Sequence, residues 1–85
     1  KDMATALSHF WSIQFLFIKL GAKAEVEQTF NSIGTVASNI DEKEFGKLTN
    51  EILTEFQSNG VSLGSRLVVS AEEAKAIIEQ MQAPK

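Results

Sequence analysis

Eighty-five residues bound a single domain (residues 1–85) with a modest core, because a chain this short buries only about 60–65% of its unfolded surface. The chain has no cysteine and one histidine, which excludes disulfides and the usual structural zinc ligand sets, so the core rests on packing or on a partner. A net charge of -3, with Arg66 as the lone arginine, argues against a nucleic-acid surface, since phosphate binding demands clustered Lys and Arg.

Lys1 in place of an initiating Met is expected of a processed chain or one cut from a longer protein. Asp2 then reads as an N-cap and Gly21 as a C′ stop, which predicts helix 1 over about residues 3–20. Four of the seven aromatic residues, Phe10, Trp11, Phe15 and Phe17, lie within it. At about 100° per residue its apolar side chains cover well over half of the circumference. The polar strip is Thr5, Ser8, His9, Ser12 and Lys19. A helix so apolar is expected at the centre of a domain or in lipid. Membrane contact is disfavoured, because the stretch is barely long enough to span and His9, Gln14 and Lys19 interrupt it. Gln14 falls on the apolar face and reads as a buried amide bonded to a neighbouring element. Leu16 falls in the polar strip and reads as a lone exposed leucine.

Helix 2 is predicted from about Ala24 to Asn39, with Val26, Phe30, Ile33, Ala37 and Ile40 as its apolar stripe. Gly34 inside it costs about 1 kcal/mol relative to Ala and suggests close approach of another element. Asp41 with Glu44 makes an Asp variant of the capping box and opens helix 3. That helix runs to about Ser58 and stops at Asn59-Gly60. Phe45, Leu48, Ile52, Leu53 and Phe56 form its buried face. Lys47 and Glu51 are spaced as an i, i+4 pair on a solvated one.

The helical period fails over residues 60–70. Gly64-Ser65 fits a two-residue type II′ hairpin turn between Val61–Leu63 and Leu67–Val69, and an extended apolar loop crossing the helices is the alternative. Ser70 and Glu73 form a Ser-x-x-Glu capping box for helix 4, over about residues 71–82. Ala74, Ile77, Ile78 and Met81 belong to its apolar side, and Ala83-Pro84-Lys85 reads as a frayed tail.

The chain carries little equipment for chemistry. His9 neighbours Ser8 and Ser12, but adjacent helix positions do not face one another, and no Gly-x-Ser-x-Gly elbow is present. Glycine spacings match no phosphate-binding loop. Three helices before a hairpin echo a winged helix-turn-helix, yet the third helix carries Glu42, Glu44, Glu51 and Glu55 where a DNA reader needs cations. No enzyme, metal or cofactor is expected.

The expected fold is therefore all-α: a four-helix, bundle-like domain with helix 1 central and an extended or hairpin segment at about 61–69. The expected function is a non-enzymatic protein-interaction module, such as an inhibitor, an immunity-type protein, an adaptor or an assembly subunit. Its partner is another protein or a second copy, met through apolar surface left over on helix 1 and on residues 61–69. The alternative is a small carrier binding an apolar small molecule among Phe10, Trp11, Phe17, Phe30 and Phe56, with Gln14 as polar anchor. His9, Gln14, Leu16, Leu63 and Arg66 are the candidate binding residues.

Overall fold

In the computed structural model, which describes residues 2–82, the elements follow as α1 (Met3–Leu20), α2 (Lys23–Ser38), α3 (Glu42–Asn59), β1 (Val61–Leu63), β2 (Arg66–Val69) and α4 (Ala71–Gln82). The chain is thus mostly helical with one two-stranded antiparallel sheet, and the hairpin rather than a crossing loop occupies residues 61–69. The expected frayed tail, residues 83–85, lies outside the described residues.

Both ends of α1 have the caps expected of them. Asp2 Oδ1 accepts from the Thr5 N–H at 3.4 Å, and its Oδ2 accepts from the Thr5 hydroxyl at 2.6 Å. Gly21 ends the helix in the left-handed region at φ 72. Its N–H donates to Ile18 O (3.1 Å) and the Ala22 N–H to Phe17 O (3.0 Å). This is a Schellman pair, and it settles two of the carbonyls a helix end leaves orphaned. At α4 the capping box closes in both directions: the Ser70 N–H donates to Glu73 Oε1 at 2.9 Å, and the Glu73 N–H donates to Ser70 Oγ at 3.1 Å. The box expected at α3 does not form. Asp41 takes the extended backbone of an N-cap (φ -61, ψ 144), but its carboxylate accepts no capping hydrogen bond.

Gly60 joins α3 to the hairpin at φ 79, ψ -171, a region essentially restricted to glycine. A Cβ there would stand 2.5 Å from Val69 O and 3.1 Å from Ala71 N. In the hairpin, Gly64 has φ 64 and no non-glycine residue described has positive φ. Only the first central turn residue is therefore left-handed, which fits type II′ and not type I′. The register pairs Val61 with Val69, Ser62 with Leu67 and Leu63 with Arg66. Val68 is the extra residue of a bulge, so its carbonyl is free of the ladder. Lys19 Nζ, at the end of α1, donates to that carbonyl at 2.9 Å and reaches Glu73 Oε1 at 3.2 Å.

The core draws on every element: Leu7, Trp11 and Phe15 of α1, Ile33 and Val36 of α2, Ile52 and Phe56 of α3, Val61 and Val69 of the hairpin, and Ala74, Ile77 and Ile78 of α4. Phe15 is wholly enclosed. It meets Phe56 edge-on at 5.0 Å between centroids and Trp11 at 6.3 Å, the offset geometry that ring quadrupoles favour. α2 packs on α1 and α4 on α3, while α1 also meets α3, α4 and both strands. Helix 1 is central in that sense.

Helix 2 departs from expectation. Its buried residues are Thr29, Ile33 and Val36, whereas Phe30 is 62% exposed. Val26, Thr29, Ile33, Val36 and Ile40 recur at i, i+3, i+7, i+10 and i+14, a stripe that keeps Val26, Ile33 and Ile40 but takes Thr29 and Val36 in place of Phe30 and Ala37, so its centre is turned by about 40°. No described element approaches Gly34: a Cβ there would find nothing within 4 Å. Nor do Lys47 and Glu51 pair, since the ion pair among the described residues is Lys19–Glu73.

Candidate functional site

The polar strip of α1 does not simply face solvent. Its N-terminal half forms the floor of an open groove of about 630 Å³. Ala4, Thr5, Ser8, His9, Ser12 and Ile13 supply the floor. One wall is α3, through Leu48, Glu51, Ile52 and Glu55. The other is the hairpin tip, through Ser62, Leu63 and Gly64. A smaller cleft of about 190 Å³ shares Ser8, Ser12, Glu55 and Ser62 with it and extends it toward Asn59 and Gly60.

Each wall has a local cause. On α3, residues 48, 51, 52 and 55 follow i, i+3, i+4, i+7 and so share one face, which sets two carboxylates among two aliphatic side chains. On the hairpin, the left-handed Gly64 turns the chain back so that Leu63 closes the rim. The clamp of Lys19 onto Val68 and Glu73 fixes the hairpin and the start of α4 against the far end of the same α1 strip.

The groove is electrostatically one-sided. Glu51 and Glu55 are exposed and make no ion pair or side-chain hydrogen bond among the described residues. At one helical turn apart they repel each other mildly, and a cation between them relieves that repulsion. The Ser12 hydroxyl donates to Ser8 O at 2.8 Å, so its proton is committed to its own helix. The His9 ring sits 6.2 Å from that of Phe10, and no carboxylate among the described residues orients it. Among the described residues no three His, Asp or Glu side chains converge as a metal site. None of the described helices is long and apolar enough to cross a membrane.

Of the five expected site residues, the groove brings together His9 and Leu63. Arg66 pairs with Leu63 across the turn but is exposed and outside the lining. Leu16, one turn beyond Ser12 on the same strip, is half-buried rather than exposed and does not line the groove. Gln14 is 4% exposed on the opposite side of the helix, and its Oε1 has no hydrogen-bond partner, contrary to the bonded amide expected. The aromatic residues do not share a cavity either. Phe30 is on the surface, Trp11 packs in the core, and Phe56 alone of the five borders a cleft. Sequence reasoning passed over Glu51, Glu55 and Ser62. The only signal for them was the 48, 51, 52, 55 spacing that interleaves acid with aliphatic.

Comparison with protein-family models, with curated proteins and with solved structures finds no match to this chain.

Proposed function

We propose that this chain, its helices gathered bundle-like about α1, is a non-enzymatic protein-interaction module. In this reading the groove receives a short segment of a partner protein. Leu48, Ile52 and Leu63 meet its apolar side chains, and Glu51 and Glu55 pair with a Lys or Arg set among them. The observation that carries the proposal is the two unpaired carboxylates, one turn apart, beside an aliphatic wall over an unfilled groove. An inhibitor, an immunity-type protein, an adaptor or an assembly subunit all work by such a surface. Rim charges of this kind act mainly on association rate and specificity, so recognition is expected to weaken with salt.

Selection of random peptides displayed on phage against the immobilised protein tests this. The expected winners carry Lys or Arg between aliphatic or aromatic residues. They are expected to bind the E51Q/E55Q variant about tenfold more weakly, a loss of roughly 1.4 kcal/mol. Winners without a basic residue, or with unchanged affinity for E51Q/E55Q, would contradict it.

A further inference from the structure

Where the groove extends toward Asn59 and Gly60, the cleft of about 190 Å³ has a composition of its own. It is bounded by the end of α3 at Glu55, Asn59 and Gly60, by Ser8 and Ser12 of α1, and by Ser62 of β1. The aliphatic walls of the groove, Leu48, Ile52 and Leu63, do not line it, and neither does Glu51. A space below the ~300 Å³ of a small-molecule pocket suits one side-chain head rather than a segment.

The surroundings of this cleft accept hydrogen bonds. The Glu55 carboxylate is an acceptor alone when ionised, and it has no ion-pair partner among the described residues. Ser12 is 7% exposed and has spent its proton on Ser8 O at 2.8 Å, so its oxygen offers only lone pairs. The end of α3 adds to these acceptors. The last carbonyls of a helix have no intrahelical donor, and the macrodipole places about half a negative charge there. The Gly60 N–H answers Phe56 O at 2.8 Å, but no basic side chain stands in the last turn of α3 to offset the rest. A free carboxylate, a helix C-terminus and a buried lone pair thus border one small space from two elements.

We propose that this cleft is an arginine subsite, in which a guanidinium of the partner segment lies with its fork on Glu55 and its other N–H groups toward Ser12 Oγ and the end of α3. A guanidinium suits the cleft better than an ammonium does. It offers five donors in one plane, enough to meet a carboxylate bidentately and still face the acceptors beside it, and it is more weakly hydrated. The inference rests on the reading of the groove as a partner-binding surface. It narrows the basic residue from Lys or Arg to Arg, and its main contact from two carboxylates to Glu55.

Peptides selected on the groove, synthesised with Arg, Lys or citrulline at the basic position, test this by fluorescence anisotropy against the wild type, E51Q, E55Q and N59K. The wild type is expected to bind the Arg form about tenfold more tightly than the Lys or citrulline form. E55Q should show most of the loss expected of E51Q/E55Q and should no longer tell Arg from Lys. E51Q should lose less than about threefold and keep the preference. Asn59 is exposed at a helix end where a lysine suits the dipole, so N59K should keep the wild-type circular dichroism. It should bind the Arg form about tenfold more weakly, because its own ammonium competes for the same acceptors. Equal affinity for the Arg and Lys forms overturns the subsite, as does an Arg preference that E55Q or N59K leaves intact, and the reading of the groove survives either result. Failure of every basic peptide to bind overturns both.

Discussion

Two polar side chains show how differently one residue can be used in the same helix. Gln14 is buried with an orphaned Oε1, and a buried acceptor without a partner costs about 1–3 kcal/mol relative to one in water. Methionine matches glutamine in length, is unbranched and flexible enough to fill the same space, and has no such demand. Gln14→Met should therefore raise the stability measured by urea denaturation by about 1 kcal/mol, and a loss of that size would mean that the amide is in fact satisfied. Lys19 is the reverse case, since its ammonium is shared between a bulge carbonyl and Glu73. The Ser70 N–H, and after it Lys19, hold the Glu73 carboxyl below its ordinary value of 4.5. A carboxyl with a depressed folded value adds stability that is fully present above its unfolded value and is lost as pH falls through the folded one. The advantage of the wild type over E73Q should then be constant at neutral pH and shrink below about 4.5. Asp2, lowered by its bonds to Thr5, titrates in a neighbouring window, so D2N is the control. Parallel stability curves for E73Q and wild type across that range would exclude the Glu73 contribution.

Among the elements, the hairpin and α2 carry the lessons. The hairpin could be read from Gly64-Ser65, because type II′ needs a left-handed first turn residue and glycine supplies it. What could not be read was the bulge at Val68, which depends on which residues of β2 must reach the core. Gly60 couples the hairpin to α3 and to the start of α4. Gly60→Ala should cost about 3 kcal/mol, as a strained left-handed backbone is compounded by the collision with Val69 O. Gly34→Ala, in open space inside a regular helix, should instead stabilise the fold by about 0.5–1 kcal/mol. Thermal or urea unfolding of the two variants checks both signs, and equal effects would refute the assignment of one glycine to a tight junction and the other to an open face. The apolar stripe of α2 was misplaced because Phe30 is its largest apolar residue and was assumed to be inside. The helix buries Thr29 and Val36 instead, which keep the Val26–Ile33–Ile40 spine and lie nearer α1. A threonine in such a stripe looks polar in sequence, yet Thr29 is buried.

At the scale of the whole molecule, the bounds and the polar strip of helix 1 follow from Asp2, Gly21 and the 3.6-residue period, whereas Gln14, which lacks its expected partner, and Leu16, half-buried instead of exposed, do not. The use of that strip was not legible. Thr5, Ser8, His9 and Ser12 look like an ordinary wet edge until α3 and the hairpin stand on either side of them. Glu51 and Glu55 likewise look like any solvated stripe until Leu63 faces them across the gap. His9 stands out in the sequence at the edge of helix 1 and Leu63 in the apolar segment 61–69, and it is the tertiary arrangement that sets them on one groove, whereas Gln14, Leu16 and Arg66 lie elsewhere. The most direct test of recognition at this groove is amide and side-chain chemical-shift mapping by NMR, with a selected basic and apolar peptide titrated into the labelled protein. Recognition there predicts saturable shifts at Ser8, His9, Ser12, Glu51, Glu55 and Ser62 through Gly64, with α2 unmoved. Shifts gathered on α2 or on α4, with the groove residues silent, would contradict it.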